Sequence, residues 1–367
     1  MKIVAAVIRP ASPAFSLETL ELDEPRDDEV LVRVVSVGIC HTDLVAAAGV
    51  LPIQPPAVLG HEGAGVVLRT GARVTHVQPG DPVAISFSAC GQCPRCQRHD
   101  PSYCHAFGLL NFTGMREGGS NLHDAQGHPV AGNFFGQSSF ANHCIANARN
   151  VVKVPEDMPL ALVSPLGCGI QTGFGSIARA LACEAGSSLL VLGGGAVGLA
   201  AVMAAKLRGC RHIIVSEPHA ARRALALELG ATLTLDPLNE ALEDSVRRTL
   251  PSGVDYLFDT SGIAAALEAA CRCLAPRASV GLVGVPQAWE QKLPGTLAEL
   301  VQNGTVFKGI IEGDSDPQTS IPELIALYQA GQLPIDKLVT TFPFAQINEA
   351  IAAQHAGTCV KPVLLMD

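Results

Sequence analysis

"SSLLVLGGGAVGLAAVMAAKLRG", residues 187–209, decides the architecture. An apolar run of strand length stops at three glycines, and an alanine-rich helical pattern begins at Ala196 and closes on Gly209. Gly193, Gly195 and Gly198 form G-x-G-x-x-G between a strand and a helix, the setting in which that triplet carries meaning. The first glycine permits the tight turn. The second lets a pyrophosphate approach the backbone, and the third lets helix and strand pack closely. Unpaired N–H groups at the helix start then face the phosphates. Glu217 lies at the end of the next apolar segment, "HIIVSEP" (212–218), where a carboxylate accepts the hydroxyls of a ribose. It repels a 2′-phosphate, so NAD is expected rather than NADP. Arg222 and Arg223 follow closely and pull the other way.

Outward from this turn the alternation continues. "HAARRALALELG" reads as a helix, "VDYLFDTSG" as a strand, "IAAALEAACRCLAP" as a helix and "ASVGLVGV" as a strand. Buried strands alternating with helices mean a parallel sheet. Before residue 160 the texture differs. "EVLVRVVSVG" (29–38), "GAGVVLRTG" and "DPVAISFS" are short strands broken by glycine and proline, and "MKIVAAVIRPASPAF" reads as a first strand. From about residue 312 the mixed texture returns, with "IPELIALYQAGQ" a helix and "KPVLLM" a closing strand. At 367 residues two domains are expected.

The chain is 48% apolar and carries a net charge of −9, so no basic face invites nucleic acid. No apolar run is long enough to span a bilayer, and the N-terminal segment lacks the pattern of a signal peptide, so a cytoplasmic protein without a membrane partner is expected. Its twelve cysteines then need a reason other than disulfides. "CGQCPRCQRHDPSYC" supplies Cys90, Cys93, Cys96 and Cys104, a C-x2-C-x2-C-x7-C array that can close a tetrahedron around a structural zinc. A zinc-ribbon nucleic-acid module is the rival reading, and the negative charge argues against it. The six cysteines at 144, 183, 210, 271, 273 and 359 lie in apolar or helix-like surroundings and read as buried thiols.

Three further stretches hold residues of metal-binding type: "GICHTDL" (38–44), "GHEGAG" (60–65) and "PLGCGIQTG" (165–173). Spacing alone does not join them. Taken in order with the four-cysteine lobe and "GGGAVG", they resemble the zinc-dependent medium-chain alcohol dehydrogenases over the whole chain. "FFGQSSFA" (134–141) makes the aryl-alcohol (benzyl-alcohol) branch the most similar. The resemblance implies an α/β protein with a GroES-like catalytic domain, 1–169 and 312–367, and an NAD-binding Rossmann domain, 170–311. Cys40, His61 and Cys168 would be the ligands of a catalytic zinc with an open fourth position, so two zincs per chain are expected. Glu62 would approach the metal, and Asp43 would orient the ligand histidine. Thr42 would pass the alcohol proton to the cofactor ribose. His41, Thr172 and Lys361 would meet the cofactor, and Leu51, Ser86, Phe134, Phe135 and Val285 would line the substrate channel. Plain core packing is the other reading of those pocket residues.

The expected reaction is reversible oxidation of an aromatic primary alcohol to its aldehyde. Zinc would acidify the alcohol and the nicotinamide would take the hydride. An allylic terpenoid alcohol of the geraniol or perillyl type is the alternative substrate. A catalytically silent cofactor-binding homologue is the alternative outside enzymes, but Cys40, His61, Cys168, Glu62 and Thr42 are all present here. The family's histidine for proton exit is replaced by Val45, which implies a shortened relay. Relatives form dimers and tetramers, so a homo-oligomer is expected.

Overall fold

The computed structural model describes residues 1–10, 12, 14–286 and 290–366. The chain forms two compact units, Met1–Gly169 with Asp316–Gly331 and Ile335–Asp367, and Ile170–Ser315 with Gln332–Pro334.

The first unit is built on two sheets. In one, the N-terminal strand Lys2–Ile8 pairs antiparallel with Ser16–Leu22 and with Ala57–Val58. In the other, the valine-rich Glu29–Gly38 runs centrally between Gly63–Thr70 and Lys361–Leu365. Its alternating valines are almost all buried, in one core with Phe134, Phe135 and Phe140. The closing strand thus borders it directly: Val363, Leu364 and Leu365 pair with Gly38, Val37 and Ser36.

The second unit holds six parallel strands in the order Leu233–Leu235, His212–Ser216, Ser188–Leu192, Val254–Asp259, Leu274–Leu282, Val306–Gly309. This is the 3-2-1-4-5-6 order of a Rossmann sheet. Ser188–Leu192 is buried at every position, as a central parallel strand must be. The helix read through "CRCLAP" is shorter than expected and ends at Cys271, and the next strand starts at Leu274, which pairs with Val254. Pro276 cannot extend the helix, and Arg277 turns to φ 64°, which shifts the register before regular pairing resumes at Ser279. No single described helix is long and apolar enough to cross a membrane.

Candidate active site and metal centre

In the first unit, Cys40 sits at the N-terminal end of the helix His41–Ala47, and its backbone N–H donates to Asp43 Oδ2 at 3.0 Å. Asp43 is fully buried. Its other oxygen accepts the N–H of Gly60 at 3.0 Å and His61 Nδ1 at 2.8 Å. A carboxylate on Nδ1 fixes the proton there and leaves Nε2 with its lone pair free. Among the described residues His61 Nε2 is buried with no hydrogen-bond partner, which is an unfavourable state unless a metal takes the lone pair. One donor atom from each of Cys40, His61, Glu62 and Cys168 lies within 4.8 Å of the others, so these residues could hold a metal ion. Burial opposes charge on His61, but Asp43 outweighs it and holds the imidazole well above its usual range. Contact with Cys168 holds the Cys40 thiol well below the ordinary thiol range, against the pull of burial.

Glu62 is buried and anchored from two sides. Its carboxylate accepts the N–H of Gly169 at 3.0 Å and Lys361 Nζ at 2.9 and 2.8 Å. Burial pushes the Glu62 carboxyl up, and the Lys361 ammonium partly offsets it. Lys361 also donates to the carbonyl of Ile39 at 3.0 Å, so it ties the closing strand to the "GICHTD" loop. A Cβ on Gly38 would collide with the Glu62 carboxylate, which is why this loop opens on glycine. Thr42 places its hydroxyl 3.8 Å from Cys40 Sγ, and His41 is exposed at the first turn of its helix. Val45 is half-buried on the same helix and packs against the core.

Phe134 and Phe135 surround the imidazole. Phe135 stacks on His61 with ring centroids 4.5 Å apart, and Phe134 meets it edge-on at 5.7 Å. Both rings are buried, and Phe135 also contacts Phe107 and Phe112. Ser86 is fully buried with its hydroxyl on the carbonyl of Gly167, and Leu51 is buried in the same core. Sequence reasoning missed Gln137. Its amide donates to the carbonyls of His61 and Ser86 at 2.9 and 3.1 Å and accepts the N–H of Gly63 at 3.0 Å, so one side chain pins the whole "GHEG" turn. The "FFGQSSFA" motif contained it, but nothing local announces contacts across 51 to 76 residues.

The four-cysteine lobe converges as its spacing requires. Cys93 Sγ lies 3.6 Å and Cys90 Sγ 3.9 Å from Cys96 Sγ, and all four sulfurs lie within 4.8 Å of one another. Backbone N–H groups of Cys90 and Ala106 point at Cys104 Sγ and that of Cys93 at Cys90 Sγ, at 3.3 to 3.4 Å. Such donors suit thiolates, the form that binds zinc. Backbone donors from Cys96 and His105 bring Cys93 down to about 6.

In the second unit the glycine turn has the form a dinucleotide needs. Gly193 has φ 96°, in the left-handed region. A Cβ on Gly198 would collide with the carbonyl of Gly193, so helix and strand could not pack as they do. A Cβ on Gly195 would meet nothing within 4 Å, so the backbone there is open to a phosphate. Glu217 is buried at the end of its strand. It accepts the N–H of Gly194 at 2.7 Å and His219 Nδ1 at 2.7 Å. Arg222 is half-buried on the helix Ala220–Leu229, while Arg223 bonds the Glu217 carbonyl and pairs with Asp236 at 3.0 Å. Thr172 is buried in the helix Gly169–Gly175, and Val285 is half-buried just beyond the strand Leu274–Leu282.

Comparison with known proteins agrees with this geometry. Residues 26–156 match the family model of the alcohol dehydrogenase GroES-like domain, and residues 196–330 match that of the zinc-binding dehydrogenases. The chain therefore belongs to the zinc-dependent medium-chain alcohol dehydrogenases. It is 44% identical to a geraniol dehydrogenase of Castellaniella defragrans, over 98% of this chain and 97% of that one. Among solved structures, the alcohol dehydrogenase zinc-binding domain protein from Burkholderia ambifaria superposes with a TM-score of 0.96 at 43% identity, over 100% of this chain and 99% of that one. The benzyl alcohol dehydrogenase of Acinetobacter calcoaceticus gives 0.95 at 36%, with both chains fully covered at 100%.

Proposed function

We propose that this chain catalyses the reversible, NAD-dependent oxidation of an aromatic primary alcohol of the benzyl type to its aldehyde. The observation that carries this is the set of Cys40, His61 and Cys168 donors around a partnerless Nε2, with two phenylalanine rings packed against the ligand imidazole. Two thiols and an imidazole leave a tetrahedral metal one position for substrate.

Zinc held there would supply Lewis acidity toward the alcohol oxygen, and a nicotinamide held by the glycine turn would supply the hydride acceptor. The chain's residues do the rest. Asp43 keeps the His61 proton on Nδ1, so Nε2 faces the metal position. Lys361 balances the buried charge of Glu62 and holds that carboxylate near the donor set. Thr42, whose hydroxyl lies 3.8 Å from Cys40 Sγ, would take the alcohol proton and pass it toward the ribose of a bound cofactor. Val45 has no group to carry it further, so the relay would end at the ribose or at a water. Glu217 would favour a free ribose over a phosphorylated one. A homo-oligomer accompanies this reading.

A second reading, an allylic terpenoid alcohol, is favoured by the 44% identity to a geraniol dehydrogenase. Both substrate classes place the carbinol carbon beside a π system. The test is NAD reduction with benzyl, cinnamyl, geranyl and straight-chain alcohols, repeated with NADP. Highest kcat/KM on benzyl alcohol supports the first reading, and highest on geraniol the second. A strong preference for NADP would overturn the role given to Glu217.

A further inference from the structure

Two cysteines outside both metal clusters have no part in the chemistry described so far. The sequence groups Cys210 with the buried thiols, yet in the fold it is half-buried. It follows Gly209 in the turn between the dinucleotide helix Ala196–Leu207 and the strand His212–Ser216, where Arg208, Gly209 and Arg211 are all exposed. That turn is bonded to residues 182–187. Gly186 donates its N–H to the Gly209 carbonyl at 2.8 Å, and Arg211 donates its own to the Ser187 carbonyl at 2.8 Å. Arg208 Nε donates to the Cys183 carbonyl at 2.9 Å. The Cys210 sulfur lies 3.6 Å from the Ser187 hydroxyl and 3.9 Å from the Glu184 carbonyl.

These bonds bring Cys210 against Cys183, the residue before Glu184. Cys183 is fully buried, and the two side chains share a hydrogen bond. The contact makes the two sulfurs unlike. The Cys183 thiol brings Cys210 down to about 6 against the pull of burial, and Ser187 and the Arg208 guanidinium act the same way. The same contact, with burial, pushes Cys183 up. One sulfur is thus open to solvent and a thiolate at neutral pH. The other is closed in, protonated and adjacent. A disulfide is about 2 Å long, so sulfurs already in contact need only a small approach, which the exposed turn at Cys210 can supply. An accessible thiolate with a second cysteine beside it is the arrangement that a hydroperoxide converts to a disulfide.

We propose that Cys210 and Cys183 form an oxidation site, in which Cys210 attacks a hydroperoxide and Cys183 closes the disulfide. In the first step the Cys210 sulfur bonds one peroxide oxygen and the O–O bond breaks. The other oxygen leaves as hydroxide and takes up the proton that Cys210 gave to solvent, which leaves Cys210 as a sulfenic acid. In the second step the Cys183 sulfur bonds the Cys210 sulfur and the S–O bond breaks. The departing hydroxide takes the Cys183 proton and leaves as water. Two thiols lose two electrons and the peroxide gains them, so hydrogen peroxide ends as two waters. A dithiol reverses the change by exchange.

The test treats the purified, zinc-loaded protein with one equivalent of hydrogen peroxide, then blocks free thiols and maps tryptic peptides by mass spectrometry. Trypsin cuts at Lys206, Arg208 and Arg211, so the disulfide joins two separate peptides. The wild type should lose about two thiols per chain, show the Cys183–Cys210 link, keep its zinc, and recover both thiols in dithiothreitol. Cys271 is the internal control. It is also half-buried, but burial pushes it up to about 12, so iodoacetamide at neutral pH should modify Cys210 at least about 100-fold faster. Cys183→Ser removes the second thiol and should leave a sulfenic acid on Cys210 that dimedone labels about tenfold more than in the wild type. Equal labelling of the two proteins, oxidation of the four-cysteine lobe with loss of zinc before Cys210 reacts, or a Cys210 no faster than Cys271 would overturn the proposal. If Cys183→Ser does not fold, Cys210→Ser decides. It should lose no thiols under the same treatment, and a loss of two would be fatal.

Discussion

Asp43 does three jobs with one carboxylate: it accepts the N–H groups of Cys40 and Gly60 and the Nδ1 proton of His61. Asparagine has the same shape but only one acceptor oxygen, so Asp43→Asn must leave one of these donors buried without a partner. We expect about 10- to 100-fold loss of kcat/KM, with zinc lost from one of two sites, measured by kinetics and metal analysis. Wild-type zinc content in an inactive variant would place the carboxylate's role elsewhere. Val45 is the second residue of interest. A histidine there would give the proton a titrating group on the way out, so Val45→His should raise the alcohol oxidation rate at mildly acidic pH. An unchanged pH–rate profile would mean that proton exit does not limit turnover. At this scale the residue types were readable and their partners were not. Lys361 could be matched only to the cofactor cleft by resemblance, while in the fold its ammonium lies on Glu62, 299 residues away in sequence. Gln137 gave no signal at all.

At the scale of elements, the strand–turn–helix at residues 188–207 was legible because each of its cues is local. The apolar run, the glycines and the helical alanines are neighbours, and the backbone preferences they express do not wait for the rest of the chain. Gly198 is the sharpest case, since only a missing Cβ clears the Gly193 carbonyl. We expect Gly198→Ala to cost about 1–3 kcal/mol as overpacking. It should be seen as a lower urea midpoint and weaker NADH binding, and an unchanged midpoint would show that the turn can yield. The following helix was less legible. "CRCLAP" continues an apolar helical pattern, yet the sheet claims Leu274 for pairing with Val254. Tertiary pairing overrode local propensity there.

Across the whole molecule, the two clusters of donors predict metal stoichiometry. Purified protein should carry about two zincs per chain, and Cys93→Ser, which removes a ligand of the closed lobe, should carry about one. That variant should keep its catalytic zinc and lose thermal stability, with Tm lower by roughly 5 °C or more. Loss of both metals would show that the lobe and the Cys40 site are not independent. The four lobe cysteines lie within 15 residues, so their spacing alone implied a closed tetrahedron. Residues 40, 61 and 168 have no such spacing, and only resemblance to a family joined them before the structure was known. The sequence by itself determined the order of strands and helices, the glycine turn and the four-thiol lobe, because those depend on side chains a few residues apart. The tertiary structure decided which donors meet around His61, which lysine neutralises Glu62, and which thiol meets Cys210. Those contacts are set by how the sheets close and pack, and no interval along the chain encodes a distance through space.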